Sequence, residues 1–255
     1  MIHFSLFSGI GGFELASEWA GWRNLLSCEI NEFGNKILQH YWPEAYHHTD
    51  IHTLNYDTIN IELSKRFGEG WRNDDIILTG GFPCQPYSAA GKRLGNEDDR
   101  HLWPEMLRVI RETSPTWVVG ENVHGIINWS GGLVFEEVQA DLEALGYEVQ
   151  AYVLPSASVN APHKRERTWF VANSHRSRFQ GGVRAQKETK PRQLPSPLHS
   201  REVWDAWEDN VVKPYLLGAN DGVSRGLDRI KALGNAIVPQ VAFQIFKAIN
   251  QYNEL

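Results

Sequence analysis

Short apolar runs alternate with amphipathic stretches along most of this 255-residue chain. Aliphatic and β-branched runs that end at glycine or polar residues are typical of buried strands, and apolar residues spaced three and four apart are typical of helices. Strands are therefore predicted over residues 2–7, 25–28, 75–79, 116–120, 147–153 and 168–172. Helices are predicted over residues 13–20, 33–41, 101–112, 134–145 and 239–250.

Strands that alternate with helices predict an α/β protein with a Rossmann-like, doubly wound and mostly parallel sheet. The chain is long enough for one large core with a smaller appended domain. The regular pattern disappears after the sixth strand, in a stretch rich in Ser, Arg, Gln, Gly and Pro. We therefore expect a main domain over residues 1–172, a loop-rich region over 173–225 and a segment 226–255 that returns to the main domain.

A glycine-rich turn directly follows the first predicted strand. Gly9, Gly11 and Gly12 lie between that strand and the first helix, where glycines permit the close approach of a ligand. Glu29 follows 20 residues after Gly9, at the distance where an acidic side chain meets ribose hydroxyls. The spacing departs from G-x-G-x-x-G and leaves less room for a pyrophosphate, so S-adenosylmethionine fits better than NAD. An ordinary strand-to-helix turn with a surface glutamate is the alternative.

A second acidic position, Asp50 with Ile51, closes the next predicted unit. These residues could hold an adenine amino group and cover its ring, although an aspartate here is also typical of a turn or cap. The adjacent His47 and His48 suggest a metal, but no Cys, Asp or Glu joins them at ligand spacing. We therefore predict no metal site.

Charge is segregated along the chain, although the net charge is only −6. Residues 1–160 carry 10 Lys+Arg and 22 Asp+Glu, a net charge of −12. Residues 161–201 carry 10 and 2, a net charge of +8, and residues 202–255 carry 5 and 7, a net charge of −2. A basic band beside an acidic body favours a local phosphate-binding surface, and a solvated basic loop is the alternative.

Cysteine usage and hydropathy point to a cytoplasmic location. Two cysteines, Cys28 and Cys84, cannot form a disulfide framework, and the chain shows no signal segment, so we expect a reducing cytoplasm. No apolar run approaches the length that spans a membrane, so we expect no membrane partner.

Cys84 lies in a loop of glycines and prolines directly after a predicted buried strand, where nucleophiles lie in α/β proteins. Glu121 ends another predicted strand, so its carboxylate is expected at the same sheet edge. Arg165 and Arg167 come at the start of a further strand. Because strand side chains alternate between faces, both are expected on one side, where they could bind an anion, a carbonyl oxygen or Glu121.

These motifs, taken in order, closely resemble the DNA (cytosine-5)-methyltransferase family of the bacterial or phage type. They span nearly the whole chain, and their order, spacing and residue types all agree with the family pattern. The matching set comprises residues 7–12 (Phe-Ser-Gly-Ile-Gly-Gly), Glu29, Asp50 with Ile51, residues 81–85 (Gly-Phe-Pro-Cys-Gln), residues 121–123 (Glu-Asn-Val), Arg165 with Arg167, and residues 234–236 (Gly-Asn-Ala).

The resemblance implies a chemistry and a role for each motif. Cys84 would attack carbon 6 of a flipped cytosine, Glu121 would hold ring nitrogen 3 and the exocyclic amine, and Arg165 and Arg167 would bind the carbonyl oxygen or orient the carboxylate. The implied contacts to S-adenosylmethionine, with S-adenosylhomocysteine as product, come from Phe7, Ser8, Gly9, Ile10, Gly11, Gly12, Glu29, Ile30, Asp50, Ile51, Pro83 and Asn235.

The resemblance also implies partners. Duplex DNA would be the substrate, residues 173–225 would be a short target-recognition region, and residues 81–100 would close on the flipped nucleotide. The candidate DNA contacts are Gln85, Ser88, Lys92, Arg93, Arg176, Arg178 and Arg184. A monomer is expected, and a cognate restriction endonuclease is a candidate functional partner.

Departures from the family pattern leave alternatives open. Ser5 stands where the family usually has an acidic residue, His163 replaces the usual glutamine, and the recognition region is short. Methylation of tRNA by the same chemistry and an inactive DNA-binding regulator on the same fold therefore remain alternatives. A zinc-dependent cytidine deaminase is excluded because Tyr87 stands where C-x-x-C spacing needs a second cysteine.

Overall fold

The computed structural model describes residues 1–83, 102–161, 163–174 and 234–254. Within them the α/β prediction is confirmed, because a seven-stranded sheet carries helices on both faces. Its strands are β1 (Ile2–Leu6), β2 (Arg23–Cys28), β3 (Tyr46–His48), β4 (Ile76–Gly80), β5 (Trp117–Val123), β6 (Tyr147–Pro155) and β7 (Glu166–Ser174). The helices are α1 (Gly12–Trp19), α2 (Glu32–Tyr41), α3 (Tyr56–Phe67), α4 (Trp103–Thr113), α5 (Leu133–Ala144) and α6 (Pro239–Asn253).

The order of the strands creates a crevice beside β1. The sheet runs β3-β2-β1-β4-β5-β7-β6, and β1 pairs in parallel with both β2 and β4. The chain thus builds β1 to β3 outward in one direction and then crosses back to begin β4 on the other side of β1. Such a switch point leaves a crevice at the carboxyl ends of the strands, which is where ligands bind in open α/β sheets.

β7 is the one described strand that runs against its neighbours, pairing antiparallel with both β5 and β6. Its first residues therefore lie beside the last residues of β5, with Arg167 opposite Val123 and Trp169 opposite Glu121. An arginine at the beginning of one strand and a glutamate near the end of another consequently meet at the same sheet edge.

Alternate residues of the strands serve two separate cores. On β1, Ile2, Phe4 and Leu6 join the core beneath α3, α4 and α5. On β5, Trp117 and Val119 join the core beneath α1 and α6. Each face of the sheet is thus covered by helices, which is the doubly wound arrangement predicted from the sequence.

The predicted elements are found within a few residues of their predicted limits, but the short strand β3 and helix α3 were not among them. Helix α3 buries only Ile59 and Leu63, so its apolar stripe is too sparse to stand out. Its start carries a recognisable signal, since the Asn55 side chain accepts a hydrogen bond from the Thr58 backbone N–H. Strand β7 extends to Ser174, two residues past the predicted limit of the main domain.

Several predictions lie outside the described residues. They comprise the nucleophile Cys84, nearly all of the loop-rich region, and the candidate DNA contacts Gln85, Ser88, Lys92, Arg93, Arg176, Arg178 and Arg184. Within the described ranges, every helix is too short or too polar to cross a membrane.

Candidate active site

A cavity of about 750 Å³ opens at the carboxyl ends of β1 to β5. Eleven of the twelve residues predicted to bind S-adenosylmethionine line it, the exception being Gly11. Glu121 and Arg167 line the same cavity, together with Phe82 and Pro83. We call the wall that follows β1 to β3, which the sequence predicts to contact the cofactor, the cofactor side, and we call the wall formed by residues 81–83, Glu121 and Arg167, where the cytosine base is predicted to bind, the base side.

The turn after β1 depends on unusual backbone conformations. Phe7, Gly9 and Gly11 all have positive φ, at 54°, 58° and 88°. A Cβ on Gly11 would lie 2.3 Å from the Trp42 ring, so a glycine is needed here for Trp42 to pack against the turn. Gly11 does not itself line the cavity. A Cβ on Gly12 would lie 2.6 Å from Ile237, which itself borders the cavity. The glycine motif therefore lets two other segments approach the turn closely.

Glu29 ties the turn after β1 to the turn after β2. Its Oε2 accepts a hydrogen bond of 2.7 Å from the Gly9 backbone N–H, and its Oε1 accepts one of 2.7 Å from the Asn31 N–H. A carboxylate offers about four acceptor positions, so it retains capacity for further donors such as ribose hydroxyls. Glu29 thus has a structural role at the position predicted to bind the ribose.

Helix α2 approaches this carboxylate through residues that the sequence reading missed. The Asn31 side chain accepts a hydrogen bond from the Gly34 N–H and caps the helix. A Cβ on Gly34 would lie 2.5 Å from the Gly9 carbonyl oxygen and 3.0 Å from Glu29 Cγ. The Asn35 side chain donates to the Glu29 carbonyl oxygen. Asparagine before a glutamate-initiated helix is the signal that could have identified this contact.

Asp50 and Ile51 form a turn on the wall of the cavity. Asp50 Oδ1 accepts a hydrogen bond of 3.0 Å from the His52 N–H, so the residue has the turn role that was weighed as an alternative. Ile51 is buried and borders the cavity. The pair therefore presents a carboxylate and an apolar side chain to the same space.

The neighbouring histidines use their ring nitrogens within the protein. His47 contacts Ser27 Oγ at 2.6 Å and the Trp42 carbonyl oxygen at 2.9 Å. His48 contacts the hydroxyls of Tyr46 and Thr53, each at 2.8 Å. The described ranges contain no group of three or more His, Cys, Asp or Glu side chains that could hold a metal ion.

The base side is dominated by an ion pair between Glu121 and Arg167. Arg167 Nε lies 2.9 Å from Glu121 Oε1, and the glutamate is only 8% exposed. Burial raises the pKa of Glu121 to about 7, although Arg167 opposes that rise. A carboxyl with such a pKa is partly protonated at neutral pH and can donate a proton as well as accept one.

Arg165 makes its hydrogen bonds to backbone carbonyl oxygens, whereas Arg167 is paired with Glu121. Arg165 lies just before β7 with φ at +29°, so strand alternation does not apply to it. Its Nη1 and Nη2 donate hydrogen bonds of 2.7 Å to the carbonyl oxygens of Gly234 and Ala236. The guanidinium therefore holds the segment that brings Asn235 to the cavity, while Arg167 alone binds the glutamate directly.

The residues before Cys84 are fixed at the base side. The Asn122 side chain donates a hydrogen bond of 3.0 Å to the Phe82 carbonyl oxygen, and its own oxygen accepts from the Val123 N–H at 2.8 Å. Pro83 lines the cavity, and Cys84 is the next residue in the sequence. Cys28 also borders the cavity, but it is buried in β2, and burial raises the pKa of its thiol to about 12. Cys28 is therefore a poor nucleophile.

The fold and the cavity define a doubly wound α/β protein in which a glycine turn and a buried carboxyl line one cavity at the carboxyl ends of the strands. The family model for C-5 cytosine-specific DNA methylases matches residues 1–223, and the chain belongs to this family. Members of the family use S-adenosylmethionine as the methyl donor.

Curated relatives support the assignment. The chain is 35% identical to the type II methyltransferase M.Eco47II of Escherichia coli over 169 residues, which are 66% of this chain and 38% of that protein. It is 28% identical to M.HgiCII of Herpetosiphon aurantiacus over 248 residues, which are 96% of this chain and 52% of that protein. The chain thus spans about half the length, or less, of these relatives.

The fold is shared with solved structures. A Dnmt2 methyltransferase from S. pombe superposes with a TM-score of 0.55 at 24% identity, covering 74% of this chain and 57% of that one. At this identity the likeness supports the fold alone.

Proposed function

We propose that this protein transfers a methyl group from S-adenosylmethionine to carbon 5 of cytosine in duplex DNA. The observation that carries the proposal is that the buried Glu121 carboxyl, paired with Arg167, faces the same cavity as the glycine turn and Glu29. The cavity thereby joins a site for an adenosine ligand to a site for a base that must be protonated during the reaction.

The cofactor side suits S-adenosylmethionine in its hydrogen-bond acceptors and its apolar surface. Glu29 and Asp50 supply carboxylates at two points of the wall, suited to ribose hydroxyls and an adenine amine. Phe7, Ile30 and Ile51 supply apolar surface for the adenine ring. When bound there, S-adenosylmethionine supplies the methyl group that carbon 5 accepts.

Cys84 and Glu121 act on different atoms of the cytosine ring. The Cys84 thiolate forms a bond to carbon 6, while Glu121 donates a proton to ring nitrogen 3, so negative charge does not accumulate in the ring. Carbon 5 thereby becomes nucleophilic. After methylation, a base such as water takes the carbon 5 proton, the thiolate leaves carbon 6, and ring nitrogen 3 returns its proton to the Glu121 carboxylate, which restores the double bond and both residues.

Arg167 keeps Glu121 in position, and its charge limits the rise of the Glu121 pKa. Arg165 acts through the segment 234–236, since its donors bond the carbonyls on either side of Asn235. We therefore propose that Arg165 positions Asn235, which is predicted to contact S-adenosylmethionine.

The target cytosine has to leave the helix to reach a cavity of this kind, so the proposal includes base flipping. Residues 173–225 would recognise the DNA, with the basic band binding phosphates in a salt-dependent manner. We also propose that the protein acts as a monomer in the cytoplasm and that a cognate restriction endonuclease is its functional partner.

The proposal can be tested by expressing the chain in a host strain that lacks cytosine methylation and sequencing the host DNA after bisulfite treatment. We expect 5-methylcytosine at one recurring short sequence. The Cys84→Ser variant should leave the DNA unmethylated, since turnover falls on the order of 10³-fold or more without the nucleophile. Cys28→Ala is the matched cysteine control and should retain methylation.

Unmethylated DNA from folded wild-type protein would contradict the proposal. Methylated cytosine in host tRNA would then favour the tRNA alternative. Unmodified DNA and RNA, with retained DNA binding, would favour an inactive regulator.

A further inference from the structure

Helix α4 contacts the turn that carries Asp50 and Ile51, although it belongs to a later part of the chain. Arg108 Nη2 donates a hydrogen bond of 2.7 Å to the Ile51 carbonyl oxygen. Fifty-seven residues separate the two in sequence, and neither the charge pattern nor the apolar spacing of α4 indicates the contact. The turn is therefore held from outside by one guanidinium.

Two carboxylates of the same helix orient that guanidinium. Arg108 Nε and Nη2 lie 2.9 and 2.8 Å from Glu105 Oε2, and Nη1 lies 3.0 Å from Glu112 Oε1. The three side chains are each only 25–30% exposed. Because Arg108 is bound at three of its nitrogens, its remaining freedom is small and its bond to Ile51 is well directed.

The same carboxylates also contact the far end of the turn. Glu112 Oε2 accepts a hydrogen bond of 2.9 Å from the Tyr56 N–H, and Glu105 Oε1 lies 3.6 Å from His52 Nδ1. The stretch from Ile51 to Tyr56 is thus attached to α4 at three points. We call Glu105, Arg108 and Glu112 the α4 clamp.

We propose that Arg108 is a positioning residue for the cofactor, acting through the Ile51 carbonyl to fix the turn that faces the adenosine. This inference rests on the proposed function, because it assigns the turn to the adenosine part of S-adenosylmethionine. It follows that loss of Arg108 weakens cofactor binding while the chemistry at Glu121 continues.

Titration of S-adenosylhomocysteine and of adenosine into Arg108→Met tests the inference. Methionine keeps the length of the apolar stem but removes all donors. A hydrogen bond from a charged donor is worth enough to expect a loss of affinity of about 10- to 100-fold. The loss should be the same factor for both ligands, because both contain the adenosine part. Arg111→Met, an exposed arginine of the same helix, should bind like wild type.

Steady-state kinetics separate positioning from general destabilisation. We expect KM for S-adenosylmethionine to rise in Arg108→Met with kcat within a few-fold of wild type, and KM for DNA to remain unchanged. Arg108→Lys keeps the charge but loses the planar fork, so its KM for S-adenosylmethionine should lie between those of wild type and Arg108→Met. Binding is measured well below the melting temperature of each variant, so that only folded protein is compared.

Equal affinity of Arg108→Met and wild type for both ligands would overturn the inference and leave the proposed function intact. A drop in kcat without a change in KM would also overturn it. If wild-type protein bound neither ligand, the proposed function itself would fail.

Discussion

On the cofactor side of the cavity the Glu29 carboxylate is held by backbone amides, whereas on the base side the Glu121 carboxylate is held by an ion pair with a side chain. On the cofactor side, Glu29 receives its two hydrogen bonds from backbone N–H groups, and Gly34 meets the Gly9 carbonyl directly. On the base side, Glu121 is paired with Arg167 and otherwise buried. The backbone contacts of Glu29 fix the shape of the turns after β1 and β2, whereas the burial and pairing of Glu121 determine how readily its carboxyl is protonated.

Two buried glutamates express the same difference. Burial raises the pKa of both Glu14 and Glu121 to about 7. Glu121 lines the cavity and is paired with Arg167, whereas Glu14 is buried beside the hydroxyls of Ser5 and Ser8 and has no cationic partner among the causes that shift its pKa. A similar pKa should therefore serve chemistry at one position and affect only folding at the other.

Removing the proton donor at position 121 should have the largest effect. Glu121→Gln is expected to lower kcat by about 10²- to 10⁴-fold, the usual contribution of a general acid. In wild type, kcat/KM should fall as pH rises above about 7, because the carboxyl then loses the proton that it donates. Methyl-transfer assays that are quenched at fixed times, at pH values from 5.5 to 9, measure both effects.

The exposed Glu44→Gln is the control and should keep both the rate and the alkaline decline. An unchanged kcat in Glu121→Gln, or the same decline above pH 7 in that variant, would remove Glu121 from the proton transfer.

Glu14→Gln should change stability and leave turnover close to wild type. The folded pKa of Glu14 lies above its ordinary value of 4.5, so its protonated form favours folding below about pH 4.5, and this contribution is lost as pH rises through about 7. Glutamine stays neutral, so the variant should match wild type near pH 4.5 and be more stable by up to about 3 kcal/mol at pH 8. Urea unfolding at both pH values measures the difference, and equal stabilities at pH 8 would contradict it.

A substitution that disturbs the close approach of α2 to the glycine turn should have the smallest of these effects, a moderate loss of affinity for S-adenosylhomocysteine. In Gly34→Ala the new Cβ would lie 2.5 Å from the Gly9 carbonyl oxygen, so the turn must shift. Overpacking of this kind costs about 1–3 kcal/mol, and we expect a comparable loss in the binding free energy of S-adenosylhomocysteine. Gly70→Ala, which meets no atom within 4 Å, is the matched control. Calorimetric titration that found equal affinities would show that the turn tolerates the shift.

The sequence was informative wherever local spacing determines the structure. The glycine turn and Glu29 were predictable because a strand, a positive-φ turn and a helix must follow one another closely. The apolar spacing of Val241, Ile245 and Ile249 likewise predicted the buried face of α6.

Contacts that depend on the tertiary arrangement were not predictable. The hydrogen bonds from Arg165 to the carbonyl oxygens of Gly234 and Ala236 join residues about 70 positions apart, and no local pattern indicates them. The bond from Arg108 to Ile51 joins elements far apart in sequence. His3, a polar residue in the middle of β1, is fully buried because Asn24 and Thr79 supply its partners, which only the packed sheet reveals.

The central claim is that Cys84 attacks carbon 6 of a cytosine whose methylation requires the neighbouring cofactor site. Duplex DNA that contains 5-fluorocytosine tests it directly, because the fluorine blocks the final proton loss and traps the covalent complex. With S-adenosylmethionine present, we expect a complex resistant to denaturation, and mass spectrometry of its peptides should find the modified base on Cys84. Methyl transfer to ordinary DNA without any such complex, or a modified base on Cys28, would contradict the account.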